Sequence, residues 1–291
     1  MTGKTPAAFT TPETAFDYLR MAGAQADADI DVIDAALALG LVFLPGVDVG
    51  RYRQHVEKMA AQVAVDYGQR LADGAEDSAG LRADVLRHVI HTLNEYQGDA
   101  AHFDDVQNAN LIRVIERRRG LPVALGILYI ALAEKMGWDC KGLSFPGHFV
   151  LRLDKDGDRL ILDPFAAGRE MDAASLRQLL KSVAGAGAEL SHNFYDPVPN
   201  REVLLRLENN LKKRLIDSAD YAAALVAAEA IAAIAPAEYR IWIDIGVLRA
   251  KLGQVDAALA GIATYIDRAP TDREKQQGRT LLAQIRAELG G

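Results

Sequence analysis

The sequence predicts an α+β fold that is mostly helical, with one small antiparallel sheet and a closing layer of helical repeats. Three observations carry that expectation. Apolar residues recur at helical spacing through most of the first hundred positions. Two short alternating segments, 148–153 and 159–163, flank the run Asp154-Lys155-Asp156-Gly157-Asp158, a strong turn signal. Ala235-Pro236 returns 34 residues later as Ala269-Pro270.

From the N-terminus, residues 11–98 read as successive helices, with apolar periodicity over 31–39, 49–71 and 81–93 and breaks at Pro45-Gly46 and 73–80. His88 and His91 sit three apart on one of them, and with no carboxylate motif around them they read as part of a packed or solvated face, not a metal pair. Residues 108–119 form a short amphipathic helix or turn that Gly120 ends. Pro122 suits the first position of an apolar, buried helix over 123–136, where its missing N–H costs nothing. Gly137 stops that helix, and 138–145 reads as a strand. If the next loop centres near Lys155 and Asp156, His148 stands directly across the ladder from Asp163, with both side chains on one face. A slip of one residue would part them.

In the C-terminal third, Tyr221-Ala222-Ala223-Ala224-Leu225 lines up with Val255-Asp256-Ala257-Ala258-Leu259 at the same spacing of 34. That period, with Trp242, Ile245-Gly246, Ala258, Ile262 and Pro270 in one register, resembles the tetratricopeptide helix pair. One period earlier, Leu211, Ala224, Ala228 and Pro236 hold corresponding places while Glu208 and Lys212 replace the tryptophan and glycine, as in a divergent first unit. Small residues such as Ala224 and Ala258 let paired helices approach, and residues 271–289 read as a terminal helix with Thr271 or Asp272 as its N-cap. The expected division is 1–198 and 199–291.

Composition narrows the function classes. The chain has 291 residues, half hydrophobic and a quarter charged, and a formal net charge of -7, which argues against broad affinity for nucleic acid or anionic membrane. One cysteine excludes an intramolecular disulfide framework and a thiolate metal cluster. The first twenty residues lack a continuous apolar stretch, and the longest apolar runs, 35–44 and 121–133, fall short of the ~20 residues that cross a bilayer. The expectation is a cytoplasmic protein with no membrane span, cofactor or metal.

Gly147-His148-Phe149 followed by Asp163-Pro164 supplies the base and orienter of a thiol-enzyme triad. Helix, strand, histidine strand and aspartate strand, in that order, resemble the transglutaminase-like superfamily, which shares its core with papain-like enzymes. The resemblance sharpens with Asn108-Ala109-Asn110-Leu111, Glu116-Arg117-Arg118-Arg119-Gly120-Leu121-Pro122, Phe145-Pro146-Gly147-His148-Phe149 and Asp163-Pro164-Phe165 to the bacterial invasion-regulator branch, which joins such a core to tetratricopeptide repeats. It is specific over 108–170. It implies a nucleophile at the start of the central helix, at about Pro122, where no thiol stands. That branch lacks the cysteine and often carries hydroxyl residues where this chain has Ala109 and Ala124.

Cys140 lies on the strand before His148, away from any activating helix end, and reads as structural; Ser144 reads as an ordinary strand residue. Arg117, Arg118 and Arg119 precede a helix N-terminus, a place that favours anions, and with Asn108 and Arg152 form the expected binding set for a carboxylate near His148. The leading expectation is a non-catalytic protein, regulatory or scaffolding, that binds a peptide or protein partner in a degenerate cleft. The alternative is a peptide or amide hydrolase running on His148 and Asp163 without a thiol. A third reading, assembly with itself through the repeats, needs no cleft.

Overall fold

The computed structural model describes residues 9–289; residues 1–8, part of the stretch in which no leader was expected, lie outside it. The N-terminal layer is α1 (Pro12–Gly23), α2 (Val32–Leu41), α3 (Gly50–Ala72) and α4 (Ala79–Arg87). Each start is specified locally where a side chain accepts from the first turn: Thr11 for α1, Asp31 for α2 and Ser78 for α4. The periodicity expected to run on to residue 93 does so as a π-helical turn, His88–Leu93. Its two histidines diverge: His88 Nδ1 lies 2.8 Å from Asp66, whereas His91 bridges the Tyr96 carbonyl and the Tyr129 hydroxyl.

Next come β1 (Gln97–Gly98), α5 (Leu111–Arg117), β2 (Arg119–Gly120) and α6 (Pro122–Lys135), with β1 and β2 forming a short parallel pair. Residues 122–133 of α6 are all buried, so the helix is the axis of the core. Around it lie β3 (Asp139–Leu143), β4 (Leu151–Lys155), β5 (Asp158–Asp163), β6 (Arg169–Glu170), α7 (Ala173–Ala184) and β7 (Pro197–Val198). The five-stranded sheet is antiparallel throughout, in the order β6-β5-β4-β3-β7. Its inner face, with Leu151, Leu153 and Leu162, packs on α6, while Val150 and Phe145 meet Leu176 and Leu180 of α7 on the other side.

The β4–β5 turn corrects the expected register. Lys155 pairs with Asp158, so the loop is the two residues Asp156 and Gly157, both at positive φ (49° and 95°), as a tight hairpin turn requires. The ladder therefore places Asp163 across from position 150, not from His148.

The C-terminal layer is α8 (Asn200–Asp217), α9 (Tyr221–Ile234), α10 (Ile241–Lys251), α11 (Val255–Arg268) and α12 (Asp272–Leu289), with the Thr271 hydroxyl accepting from Glu274 N–H at 3.2 Å. The α10–α11 pair is tight because it is glycine-lined. A Cβ on Gly246 would stand 2.5 Å from Ile262 Cδ1, and one on Gly261 would stand 3.1 Å from the Gly246 Cα. Among the described residues no helix is long and apolar enough to cross a membrane.

Candidate functional site

The site is organised around the start of α6. Pro122 takes its first position and Leu121 offers no side-chain cap, so the N–H groups of Val123 and Ala124 in that first turn have no capping partner. Asn108 fixes the approach: its carbonyl accepts from Leu121 N–H at 3.0 Å, and its side-chain amide donates to the His102 carbonyl at 2.7 Å. Asn108 and Ala109 are fully buried, as is Ala124.

His148 lies in the bend just before β4. The neighbouring Phe149 ring is clasped between two glycines, since a Cβ on Gly126 of α6 would fall 2.4 Å from its Cε1 and one on Gly142 of β3 would fall 2.6 Å from its Cζ. That anchor sets the histidine at the helix start. Although two positions out of direct register, His148 keeps the parity of position 150 and so reaches Asp163 on the same face. Its Nε2–H donates to Asp163 Oδ1 at 3.0 Å, and the same oxygen accepts from the N–H of Phe165 (2.9 Å) and Ala166 (3.3 Å). A carboxylate only accepts, so in the neutral ring Nδ1 is left as the acceptor. Phe165 closes edge-on against the imidazole at 6.2 Å.

A cleft of about 280 Å³ opens beside this pair. Leu121, Pro122 and Val123 form one side, Gly147, His148 and Phe149 another. The remaining wall is Phe103 from the loop before α5, with Arg206 and Asn210 from α8. Arg206 donates to the carbonyls of Leu143 (3.2 Å) and Phe145 and lies over the Phe149 ring at 5.6 Å. Arg214, two turns along, donates to the Phe103 carbonyl at 3.0 Å and covers the Phe103 ring at 5.3 Å. The first repeat helix thus holds both lips of the cleft.

The other expected residues are elsewhere. Arg117 bonds to Asn108 Oδ1 (3.1 Å) and pairs with Asp99 and Asp105, both at 3.2 Å. Arg118 turns to His55 at 2.6 Å and to Tyr96. Burial and this guanidinium together hold the His55 imidazole down at about 4. Arg119 is exposed on β2, and Arg152 bonds to Asp154 at 2.8 Å and to the Tyr195 carbonyl at 3.3 Å. None of the five residues of the expected binding set is in the cleft lining. Arg118 ends α5 in the left-handed conformation (φ 58°), so three consecutive guanidinium groups fan in different directions.

Cys140 is fully buried on β3, and burial pushes its thiol up to about 12, which removes it as a nucleophile at neutral pH. Ser144 is exposed and outside the cleft. Among the described residues no three His, Cys, Asp or Glu side chains converge as a metal-ligand set. Phe103, Arg206 and Asn210 carried no local signal; only the apolar Phe103 inside the polar run His102-Phe103-Asp104-Asp105 hinted at a surface role.

Residues 50–209 match the family described as transglutaminase-like superfamily, and residues 211–286 match one described as tetratricopeptide repeat. The two matches meet inside α8. The UPF0162 protein of Xylella fastidiosa (strain Temecula1) is 30% identical over 209 residues, 71% of this chain and 74% of that one. The UPF0162 protein of Vibrio cholerae is 30% identical over 250 residues, covering 84% and 90%. Protein SirB1 of Salmonella typhimurium is 27% identical over 163 residues, covering 56% and 60%.

Proposed function

This chain belongs to the transglutaminase-like superfamily, and from that premise we propose that it is a non-catalytic member whose cleft takes up a segment of a peptide or protein partner in a regulatory or scaffolding role. The observation that supports this is Pro122 at the start of α6, lining an open cleft opposite a retained His148–Asp163 pair. A proline offers neither a nucleophile nor an N–H, while the cleft persists with a lining about half apolar and half polar. Helix α8, in which the two family matches meet, supplies one wall, and the tetratricopeptide layer that continues from it adds helical surface of the kind that binds proteins.

Affinity capture from lysate with wild type and His148→Ala side by side tests this reading. At least one protein held by wild type is expected to be lost by the variant; identical capture by both removes the cleft from the account.

The second reading, a hydrolase that activates water, is favoured by one feature: His148 is held by a buried carboxylate with Nδ1 left as an acceptor. A broad amidase and esterase screen decides it. Turnover that His148→Ala abolishes would establish the enzyme, and silence for wild type would end it.

A further inference from the structure

We infer that the cleft is a receptor for the C-terminal residue of a peptide, an apolar side chain carrying a free carboxylate. The inference rests on the binding reading above and names its ligand. Three features of the lining converge on it.

The first is charge. Arg206 is partly buried at the cleft wall, and burial lowers its pKa. It makes no direct ion pair among the described residues: its two bonded partners are the neutral carbonyls of Leu143 and Phe145, so only the more distant carboxylate of Glu202 offsets its charge, and three of its five N–H groups are unused. Arg117, by contrast, is neutralised by Asp99 and Asp105, and Arg214 has Asp104 at 3.7 Å. The uncapped first turn of α6, on the opposite side, adds N–H donors and the positive end of a 14-residue helix. A carboxylate is the ligand group that satisfies both.

The second is size and polarity. About 280 Å³ lies just under the roughly 300–1,000 Å³ of drug-sized sites, enough for one residue rather than a length of chain. Phe103, Leu121, Pro122, Val123 and Phe149 make about half of its lining apolar, the rest being polar. The third is the acceptor at His148. With Nε2–H committed to Asp163, the neutral ring offers Nδ1 to a donor. The amide N–H of a C-terminal peptide residue is such a donor, sitting one bond from the α-carbon that bears the carboxylate. A simple carboxylic acid has no such group.

The test is calorimetric titration of the full chain with hexapeptides ending in Leu, Phe or Val, each as free acid and as C-terminal amide. Acetyl-leucine and hexanoic acid serve as short probes. Wild type is expected to bind at least one free acid roughly tenfold or more tightly than its amide, the size of a charge-assisted hydrogen bond. Arg206→Met should abolish that preference and Arg206→Lys should keep part of it. Because Arg206 also holds two loop carbonyls, Phe103→Glu provides an independent variant: residue 103 is exposed, and a carboxylate at the cleft wall should weaken acids more than amides. Hexanoic acid binding as well as acetyl-leucine would overturn the role of the amide N–H. Acids and amides binding equally, or a preference that survives both variants, would overturn the carboxylate while leaving a peptide-binding cleft intact. Failure of every acid to bind also overturns it, and the capture comparison with His148→Ala then judges the broader reading on its own.

Discussion

The two helix pairs of the C-terminal layer share a 34-residue period and solve the same packing problem in opposite ways. In the second pair, Gly246 on α10 receives the Ile262 side chain of α11, and the backbones close up. In the first, the equivalent positions are Lys212 on α8 and Ala228 on α9, so the large and small partners have changed sides. Lys212 is nearly buried and sends its ammonium across to Asp244 of α10. Glu208, where the second pair has Trp242, is fully buried with one oxygen unbonded. The second pair need only be a repeat. The first must also present α8 to the core, where Arg206 and Arg214 grip two loops, and its departures from the repeat pattern fall on that shared helix.

Writing the first pair's solution into the second should break it. Gly246→Lys drives a side chain into Ile262 and toward the Ala258 carbonyl 3.1 Å away, and should destabilise the layer by about 4 kcal/mol or more, read as an early transition in urea followed by circular dichroism. The reverse exchange, Lys212→Gly, removes a packed stem and the bond to Asp244 and adds a helix-interior glycine. About 2–3 kcal/mol should be lost.

Glu208 sharpens the contrast through pH. Burial raises its pKa well above the ordinary 4.5, with Lys212 opposing, so the folded protein holds a proton that the unfolded chain releases. A raised acid erodes stability as pH climbs from the unfolded value toward the folded one. Glu208→Gln should therefore stabilise by about 1–2 kcal/mol at pH 7–8, and the advantage should vanish below about pH 4. Melting temperatures across that range check it, and a difference independent of pH would sink the assignment. The smallest effect is expected from Arg214→Met: within about 1 kcal/mol of wild type in stability, yet with faster amide exchange over residues 102–104, where the guanidinium now bonds a carbonyl and covers a ring.

Much of this arrangement was legible because it is written locally. A proline after Gly120 and before an apolar run predicts a helix start, and alternation around Asp156-Gly157 predicts a hairpin. The partnership of His148 with Asp163 survived an error of register because the error was an even number of residues, which preserves the face. What could not be read was direction at a distance. Three adjacent arginines looked like one anion site, but a left-handed residue among them and the buried Asp99 separate them. The cation that does line the cleft, Arg206, comes from 61 residues beyond the carbonyl it holds, and the periodicity of α8 says only that it is a helix.

That α8 serves two masters also limits how such a chain can change length. Arg206 and Arg214 are eight residues apart, about 12 Å along a helix and a little over two turns, so their side chains project about 80° apart around the axis, each toward its own loop. One residue inserted between them would rotate everything beyond by about 100°. Either Arg206 would leave the Leu143 and Phe145 carbonyls or Arg214 would leave Phe103, and the repeats downstream would turn with it. Substitutions can accumulate in α8 one by one, whereas insertions and deletions there must break the cleft or the solenoid.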